Sequence, residues 1–278
     1  MLKRSLLALG FVLAVPALGC GSSVTSEPPM TADTATTKAP VAANAHGPVK
    51  LFGDALGDVP LTASQRTQIE QLATDAEARH ADARAARKDL LTALASQVQA
   101  GQVDRASLQP KIDALVAALQ KAQPGDCAAF EQLHAILGPE QRTEFVDAIK
   151  ARIGSHMGEM RDKHPMKQWA EDLKLSDDQR AQIKSAIKDR MHAAAAAGAS
   201  HEDWSQAKHR GEAVMTAFEQ DRFVMDEVSP PRDVQAQVAK MTGHVLGLVE
   251  VALPVLTPEQ RVLAAQKLVE RADSLDLP

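Results

Sequence analysis

The chain contains no tyrosine, and aromatic residues make up only 3% of the sequence. The strands of β-sandwiches and barrels draw on aromatic and β-branched residues, so this composition argues against both folds. It also argues against the aromatic-rich core of a large enzyme. Alanine, leucine, glutamine and the charged residues dominate instead, and most of these favour helices. We therefore expect an all-α protein, long enough at 278 residues for one or two domains.

The short motifs of nucleotide binding and of nucleophilic catalysis are also missing. The sequence has no GxxxxGK phosphate loop and no GxSxG turn to carry a hydrolase serine. Paired carboxylates such as Asp177 and Asp178 fall on predicted solvent faces rather than in a desolvated pocket, so the sequence does not support acid–base catalysis. These absences favour a binding protein over an enzyme, and a role that needs no ATP.

Residues 1–19 have the pattern of an export signal. Lys3 and Arg4 precede an apolar stretch that is too short, and too interrupted by glycine and proline, for a comfortable membrane span. The stretch ends in ALGC, which resembles a bacterial lipoprotein lipobox and implies cleavage before Cys20 and acylation of its thiol. The alternative is an ordinary exported protein that is cut nearby. Gly21 stands where an inner-membrane retention aspartate is familiar, which favours a lipid anchor in the outer membrane.

Removal of this leader has consequences for charge and for cysteine chemistry. The formal net charge changes from −5 to −7, because Lys3 and Arg4 are lost. Such a chain is not a general nucleic-acid binder. If Cys20 is acylated, Cys127 is the one remaining thiol, so no intrachain disulfide can form.

Residues 20–48 are rich in Ser, Thr, Pro and Ala without an apolar period, which predicts a disordered tether.

One six-residue pattern occurs four times in the sequence. It consists of Leu, a small residue, two variable residues, Gln and Arg. The copies are LTASQR (61–66), LGPEQR (137–142), LSDDQR (175–180) and LTPEQR (256–261). A Thr or Ser followed three residues later by Gln is a capping box. The hydroxyl accepts from a backbone N–H of the first helical turn, and the Gln reaches back to the N-cap N–H. Gly138 occupies the cap position of the second copy and supplies no side-chain oxygen, so that helix start is weaker. The residues assigned to these four helix starts are Thr62, Gln65, Gln141, Ser176, Gln179, Thr257 and Gln260.

Between the motifs, apolar residues recur at helical spacing. A long helix is predicted over 61–98, stopped by Gly101 and followed by a helix that Asp104 caps. QPGD (123–126) is expected to kink or break this second helix. In the second half, helices are predicted from 175 to the alanine run at 193–200 and from 203 to 224, with a break at SPP (229–231).

The spacing of the motifs indicates an internal duplication. The first two motifs begin 76 residues apart and the last two begin 81 residues apart. A thin helical hairpin cannot bury both of its faces alone, so two such halves are expected to pack on each other as a pseudo-dimer. The predicted domains are helical repeat 1 (49–153), a linker rich in His and Met (154–169) and helical repeat 2 (170–278).

The paired LTxxQ motifs, the GQVD helix start (101–104) and LHAILGPEQR (133–142) resemble the periplasmic Spy/CpxP family, whose relatives include zinc-associated and nickel/cobalt-sensing periplasmic proteins. The resemblance covers 58–153 well but only the two ends of 170–278. Members are typically small homodimers that form a curved helical cradle. Two tandem copies in one chain would resemble a fused, asymmetric version of that dimer. The resemblance also implies a protein that holds unfolded or misfolded envelope proteins without ATP, or that reports envelope or metal stress to a sensor kinase.

A heavy-metal sensor or resistance protein is the alternative function. His156, Met160 and His164 are spaced by four, so on a helix they would share one face. Thioether and imidazole ligands suit Cu(I), and imidazoles also suit Zn, Ni or Co. Two nearby glycines and Pro165 favour a loop instead, in which such residues are often polar filler. No other cofactor is implied.

The first long helix carries a basic stretch that includes Arg79, Arg84, Arg87 and Lys88. Such a stretch can form a mildly basic concave surface that binds unfolded clients without selecting one of them. The alternative is a solvated face whose charge is balanced by neighbouring acids. Three further residues, His80, His134 and Cys127, are expected to be surface or satisfied core groups rather than ligands or nucleophiles.

Overall fold

The computed structural model describes residues 35–163, 165–196, 202–230 and 233–276. Within these residues the chain forms ten α-helices and one antiparallel ladder of two-residue strands, which confirms the all-α prediction. The ladder joins β1 (Thr36–Thr37) to β2 (Leu61–Thr62), with Thr36 opposite Thr62. The helices are α1 (Gly47–Leu56), α2 (Ala63–Ala100), α3 (Arg105–Ile136), α4 (Pro139–Lys163), α5 (Pro165–Asp172), α6 (Asp177–Ala196), α7 (Glu202–Phe218), α8 (Met225–Val228), α9 (Val234–Ala252) and α10 (Pro258–Asp273), with 3₁₀ turns at Leu253–Val255 and Ser274–Asp276.

A long hairpin of α2 and α3 runs through the molecule. Its turn is as predicted: Gly101 adopts a left-handed φ of 80°, and the Asp104 side chain accepts from the backbone N–H groups of Ala106 and Ser107. Glycine at position 101 also leaves room for a side chain from a distant helix. A Cβ there would overlap the guanidinium of Arg261, which reaches across from the start of α10.

The break expected at 123–126 is absent, because α3 continues through Pro124 to Ile136. Contacts with α2 hold this stretch in place. Asp126 accepts from Arg79 at 3.3 Å and lies 3.0 Å from the His80 ring nitrogen. Gly125 leaves room for the Arg79 side chain, and Cys127 is fully buried. Tertiary packing therefore outweighs the local cost of a proline inside a helix.

One hydrophobic core lies where the start of α2 meets the end of α3. It contains five of the six phenylalanines of the sequence, arranged as contacting rings. Residues from beyond position 200 complete this core, so it does not belong to the first half alone. The rings are Phe52 of α1, Phe130 of α3, Phe145 of α4, Phe218 of α7 and Phe223, which precedes α8.

A second core lies at the opposite end of the hairpin. The later part of α2 and the earlier part of α3 contribute Leu94, Val98 and Ile112, and α5, α6, α9 and α10 cover them. Helix α10 packs lengthwise along α2. Each end of the hairpin thus has its own core, and one of the two motif pairs lies at each end.

Helices α6 and α9 are joined to α3 through charged residues. Arg190 of α6 lies against Gly247 of α9, where any Cβ would overlap its guanidinium. Glu250 of α9 makes a two-point ion pair with Arg105, at 2.6 and 2.7 Å. This pairing lowers the pKa of the Glu250 carboxyl below its ordinary value, against the effect of partial burial.

Helix α9 with its following turn, Val234–Val255, is the one segment of the described chain that is long and apolar enough to cross a membrane by length and composition. Val238, Leu246 and Ala252 of this helix are buried in the second core. Apolar core helices meet the same criterion, so this feature carries no argument for a membrane span.

The N-terminal part of the body begins earlier than predicted. The tether was expected to extend to residue 48, but Val41 and Ala45 are buried, and Arg66 donates to the carbonyls of Thr37 and Ala39 at 3.0 and 2.9 Å. Residues from Thr36 onward are therefore docked. The predicted export signal and Cys20 lie outside the described residues.

Two further helix boundaries differ from prediction. Helix α4 continues through Gly154 and Gly158 to Lys163, whereas the sequence favours a loop there. Both glycines face open space, and an exposed glycine destabilises a helix by only about 1 kcal/mol. Helix α7 ends at Phe218 rather than near Val224. Its continuation turns back so that Phe223 and Met225 enter the first core.

Candidate functional site

The glutamines of the first motif pair bond to each other. Gln65 Nε2 donates to Gln141 Oε1 at 2.7 Å, and Gln141 Nε2 donates to Gln65 Oε1 at 2.9 Å. Each amide has a second N–H, which donates to the backbone carbonyl just before the partner's motif. Gln65 reaches Ile136 at 2.8 Å, and Gln141 reaches Pro60 at 2.7 Å. Both amide groups therefore use their full donor capacity.

The second motif pair makes the same set of bonds. Gln179 and Gln260 bond reciprocally at 2.8 and 3.0 Å. Gln179 also donates to Val255 O at 2.8 Å and Gln260 to Lys174 O at 3.3 Å, and each carbonyl again directly precedes the partner's motif leucine. The structure thus brings together the same two pairs of motifs that the spacing had grouped.

The glutamine oxygens also close the helix starts. Thr62 with Gln65 and Thr257 with Gln260 form complete capping boxes. Ser176 and Gln179 exchange both bonds, at 3.0 and 3.2 Å. Gly138 donates its N–H to Gln141 at 2.9 Å but returns no side-chain bond, as its lack of a side chain requires.

The model of the LTXXQ motif family matches residues 54–148, which include the first motif pair and the α2–α3 hairpin between its members. The match covers about a third of the chain, so the similarity is shown for this part alone. It agrees with the resemblance to the Spy/CpxP family, which is generally periplasmic and includes metal-resistance proteins. LTXXQ proteins are not known as enzymes. No curated protein and no solved structure matches the chain.

In the LTXXQ region, the arginine after each motif glutamine links separate segments, a role that sequence reasoning missed. Arg142 Nε donates to Leu137 O at 2.9 Å, and its Nη1 donates to Gln220 O, beyond α7, at 2.9 Å. Arg66 similarly holds the segment that contains β1. An available signal was the presence of Arg at the same place in all four motifs.

The basic residues predicted to bind clients are engaged in contacts within the chain. Arg79 pairs with Asp126 of α3, Arg84 pairs with Glu77 at 2.9 Å, and Lys88 pairs with Asp273 of α10 at 3.2 Å. Arg87 is largely buried, and burial, followed by the charge of Arg271, lowers its pKa. These four residues therefore do not form one open basic face, and client binding by them stays a prediction.

The predicted metal cluster is described only in part. His156 is exposed on α4, whereas the Met160 side chain and all of His164 lie outside the described residues. Helix α4 extends to Lys163, so His156 and Met160 are one helical turn apart on one face. Among the described residues, no group of three or more His, Cys, Asp or Glu is placed to hold a metal ion.

A groove of about 500 Å³ lies between α2 and α10. Val262 and Val269, seven residues apart on α10, line it and are 39% and 40% exposed. The groove was not foreseen, because it forms only when two helices some 170 residues apart in sequence pack together. The other lining residues are Thr92, Ala95, Ser96 and Gln99 of α2 and Ala265, Gln266 and Glu270 of α10.

Charged pairs border one end of this groove. Lys267 donates to Glu270 at 2.8 Å, and Lys88 of α2 lies 3.2 Å from Asp273. A shallow apolar strip beside small polar side chains suits contact with varied apolar segments, because no deep pocket selects a particular group.

Proposed function

We propose that this protein is an ATP-independent periplasmic chaperone or envelope-stress adaptor, and that the α2–α10 groove contacts unfolded or misfolded envelope polypeptides. The observation that carries the proposal is the exposure of Val262 and Val269 in one groove on α10. The match of residues 54–148 to the LTXXQ motif family supports the same role.

The small apolar area of the groove is consistent with transient binding of a client polypeptide. Complete burial of an exposed valine contributes about 1.5 kcal/mol or slightly more, so covering two valines that are already more than half buried contributes about 1 kcal/mol. A client must therefore make several such contacts at once, and it leaves easily when its own core forms. Specific, tight recognition would need deeper anchors.

We extend the proposal to the whole chain. The matching bonds of the two glutamine pairs support two tandem copies of one module, the second of them divergent. Acylation at Cys20 would hold the protein on the outer membrane, close to envelope clients. An adaptor role would add a sensor kinase as a partner.

The test is suppression of aggregation of a denatured client by the mature chain, with metal chelated. Val262→Ser combined with Val269→Ser should reduce suppression while leaving the helical circular dichroism unchanged. The matched control is Ile153→Ser combined with Met191→Ser, because these side chains are 38% and 60% exposed outside the groove. Equal suppression by the groove variant would exclude the groove, and no suppression by the unaltered chain would overturn the chaperone proposal.

A metal-binding role is the second candidate. It is favoured by the helical continuation of α4, which aligns His156 with Met160 on one face. Calorimetric titration with Zn, Ni, Co or Cu(I) tests it. Tight binding that is lost on His156→Ala with His164→Ala would support the metal role, and binding that survives both substitutions would exclude this cluster.

A further inference from the structure

His134 is a buried histidine in the middle of the phenylalanine cluster. It lies on α3 with 6% of its surface exposed. The Phe218 and Phe223 rings flank it, both with centroids 5.3 Å from its own. Its Nε2 lies 2.8 Å from the backbone oxygen of Gln220. A carbonyl oxygen only accepts, so this nitrogen carries a hydrogen and donates.

The carbonyl that His134 binds belongs to the segment between α7 and α8. The same oxygen accepts from Arg142 Nη1 at 2.9 Å. Five residues later, the backbone N–H of Met225 donates to Glu131 at 2.8 Å. Between these two points Phe223 enters the core. The segment 220–225 is therefore fixed at its two ends and covers the aromatic rings beneath it.

The surroundings of His134 disfavour its charged form. Burial, the largest effect, lowers the pKa of His134 below the ordinary 6.5, and the positive charge of Arg142 lowers it further. The hydrogen bond to Gln220 and the negative charge of Asp221 act in the opposite direction but do not cancel the decrease. Asp221 is nearly fully exposed and lies 3.9 Å from Arg142, so it screens a buried charge poorly. Several charged groups on the neighbouring elements make contacts at this end of the molecule. They include Glu131 of α3, Arg142 and Lys150 of α4, and Glu219, Asp221, Arg222 and Glu227 of the α7–α8 region. Glu219 pairs with Lys150, and Arg222 pairs with Glu227.

We propose that His134 is an acid-sensitive latch, whose protonation releases the segment 220–225 and uncovers the phenylalanine cluster. A second positive charge would then share the Gln220 oxygen with Arg142 inside an apolar core, and release lets the ring reach water. The opened end would present Phe130, Phe218 and Phe223 as a new aromatic surface. The latch does not depend on the α2–α10 groove, so either proposal can fail without the other.

The direction of the pH effect follows from the lowered pKa. The neutral ring is favoured in the folded state, so its contribution is complete above the ordinary value of 6.5. It is lost as the pH falls from there toward the lower folded-state pKa. Each unit of difference between the two pKa values corresponds to about a tenfold change in the opening equilibrium.

Hydrogen exchange of the mature chain at about pH 7.5 and about pH 5.5, on either side of the ordinary histidine pKa, tests the latch. After correction for intrinsic rates, amides of 219–228 should exchange faster at the lower pH, by up to about tenfold, whereas amides at the start of α2 should not. His134→Gln can still donate to Gln220 but cannot become charged, so its response should vanish. His80→Gln, on the same hairpin but outside the phenylalanine cluster, is the matched control and should keep the response.

Equal protection of 219–228 at both pH values, or an unchanged response in His134→Gln, would overturn the proposal. Should His134→Gln fail to fold, an NMR titration of the His134 ring in the unaltered chain decides the matter. A ring that titrates below 6.5 together with the opening supports the latch, and one that titrates at or above 6.5 excludes it.

Discussion

The side-chain amides of Gln65 and Gln141 bond to each other in both directions across 76 positions of sequence. Each amide also closes the start of its own helix and grips the backbone ahead of the other motif. A single residue type thus performs three tasks, which only a planar group with two donors and one two-fold acceptor can combine. This explains why both motifs of a pair carry glutamine rather than the glutamate that an ordinary capping box accepts.

Gln65→Glu should destabilise the protein by about 2–3 kcal/mol. The substitution keeps an acceptor for the Thr62 N–H but removes both donors, so Ile136 O and Gln141 Oε1 each lose the bond that Gln65 donates. Urea unfolding measures the change. Gln68→Glu, an exposed neighbour on α2, is the control and should stay within about 0.5 kcal/mol. A Gln65 variant as stable as this control would contradict the role of the pair.

Gln179→Glu should have a similar effect at the other end of the hairpin, because Gln179 makes the corresponding bonds to Gln260 and Val255 O. The two pairs lie in different cores and share no partner. The free energies lost in Gln65→Glu and Gln179→Glu should therefore add to within about 0.5 kcal/mol in the double variant. A large departure from additivity, measured by the same urea unfolding, would mean that the two ends are coupled.

Gly101→Ala should destabilise the hairpin turn by about 1–2 kcal/mol, because alanine is strained at this left-handed φ, and its Cβ should also displace the end of the Arg261 side chain. Arg261→Ala in the same chain should recover part of the loss, which a double-mutant cycle measures. Gly211→Ala is the control. Its position on α7 faces open space, so alanine should stabilise that helix by up to about 1 kcal/mol. Equal effects at positions 101 and 211 would exclude the proposed crowding.

Glu250→Gln should reduce stability at neutral pH and flatten its decline in acid. The pKa of Glu250 is lowered by its hydrogen bonds to Arg105, so its contribution is present above the ordinary 4.5 and is lost as the pH falls through the folded-state value. Urea midpoints measured across this range test the prediction. Glu212→Gln, in an exposed pair with Lys208, should change neither the midpoint nor its pH dependence appreciably.

Local signals predicted the helix starts well. Thr62, Ser176 and Thr257 can be recognised as caps because a capping box is complete within four residues of sequence. Gly101 and Asp104 mark the hairpin turn for the same reason. The grouping of motifs into two pairs followed from their spacing, although the sequence gives no indication of the bonds between the glutamines.

Features that depend on distant residues were missed. Pro124 stays within a helix because α2 supplies the contacts around it. Docking of residues before α1 rests mainly on Val41, Ala45 and Arg66, too few to form a pattern. The environment of His134 comes from Phe218 and Gln220, more than 80 residues further on, so its neighbours could not be inferred from the helix that carries it.

Both ends of the α2–α3 hairpin are completed by residues from later in the same chain, Phe218 and Phe223 at one end and Ile183 and Leu246 at the other. A hairpin completed by a second molecule would separate on dilution, with its apolar ends laid bare. Here one covalent chain fixes the local concentration of both parts, so their union does not vary with the abundance of the protein. Both cores should therefore stay complete even when only a few molecules of the protein are present in a cell.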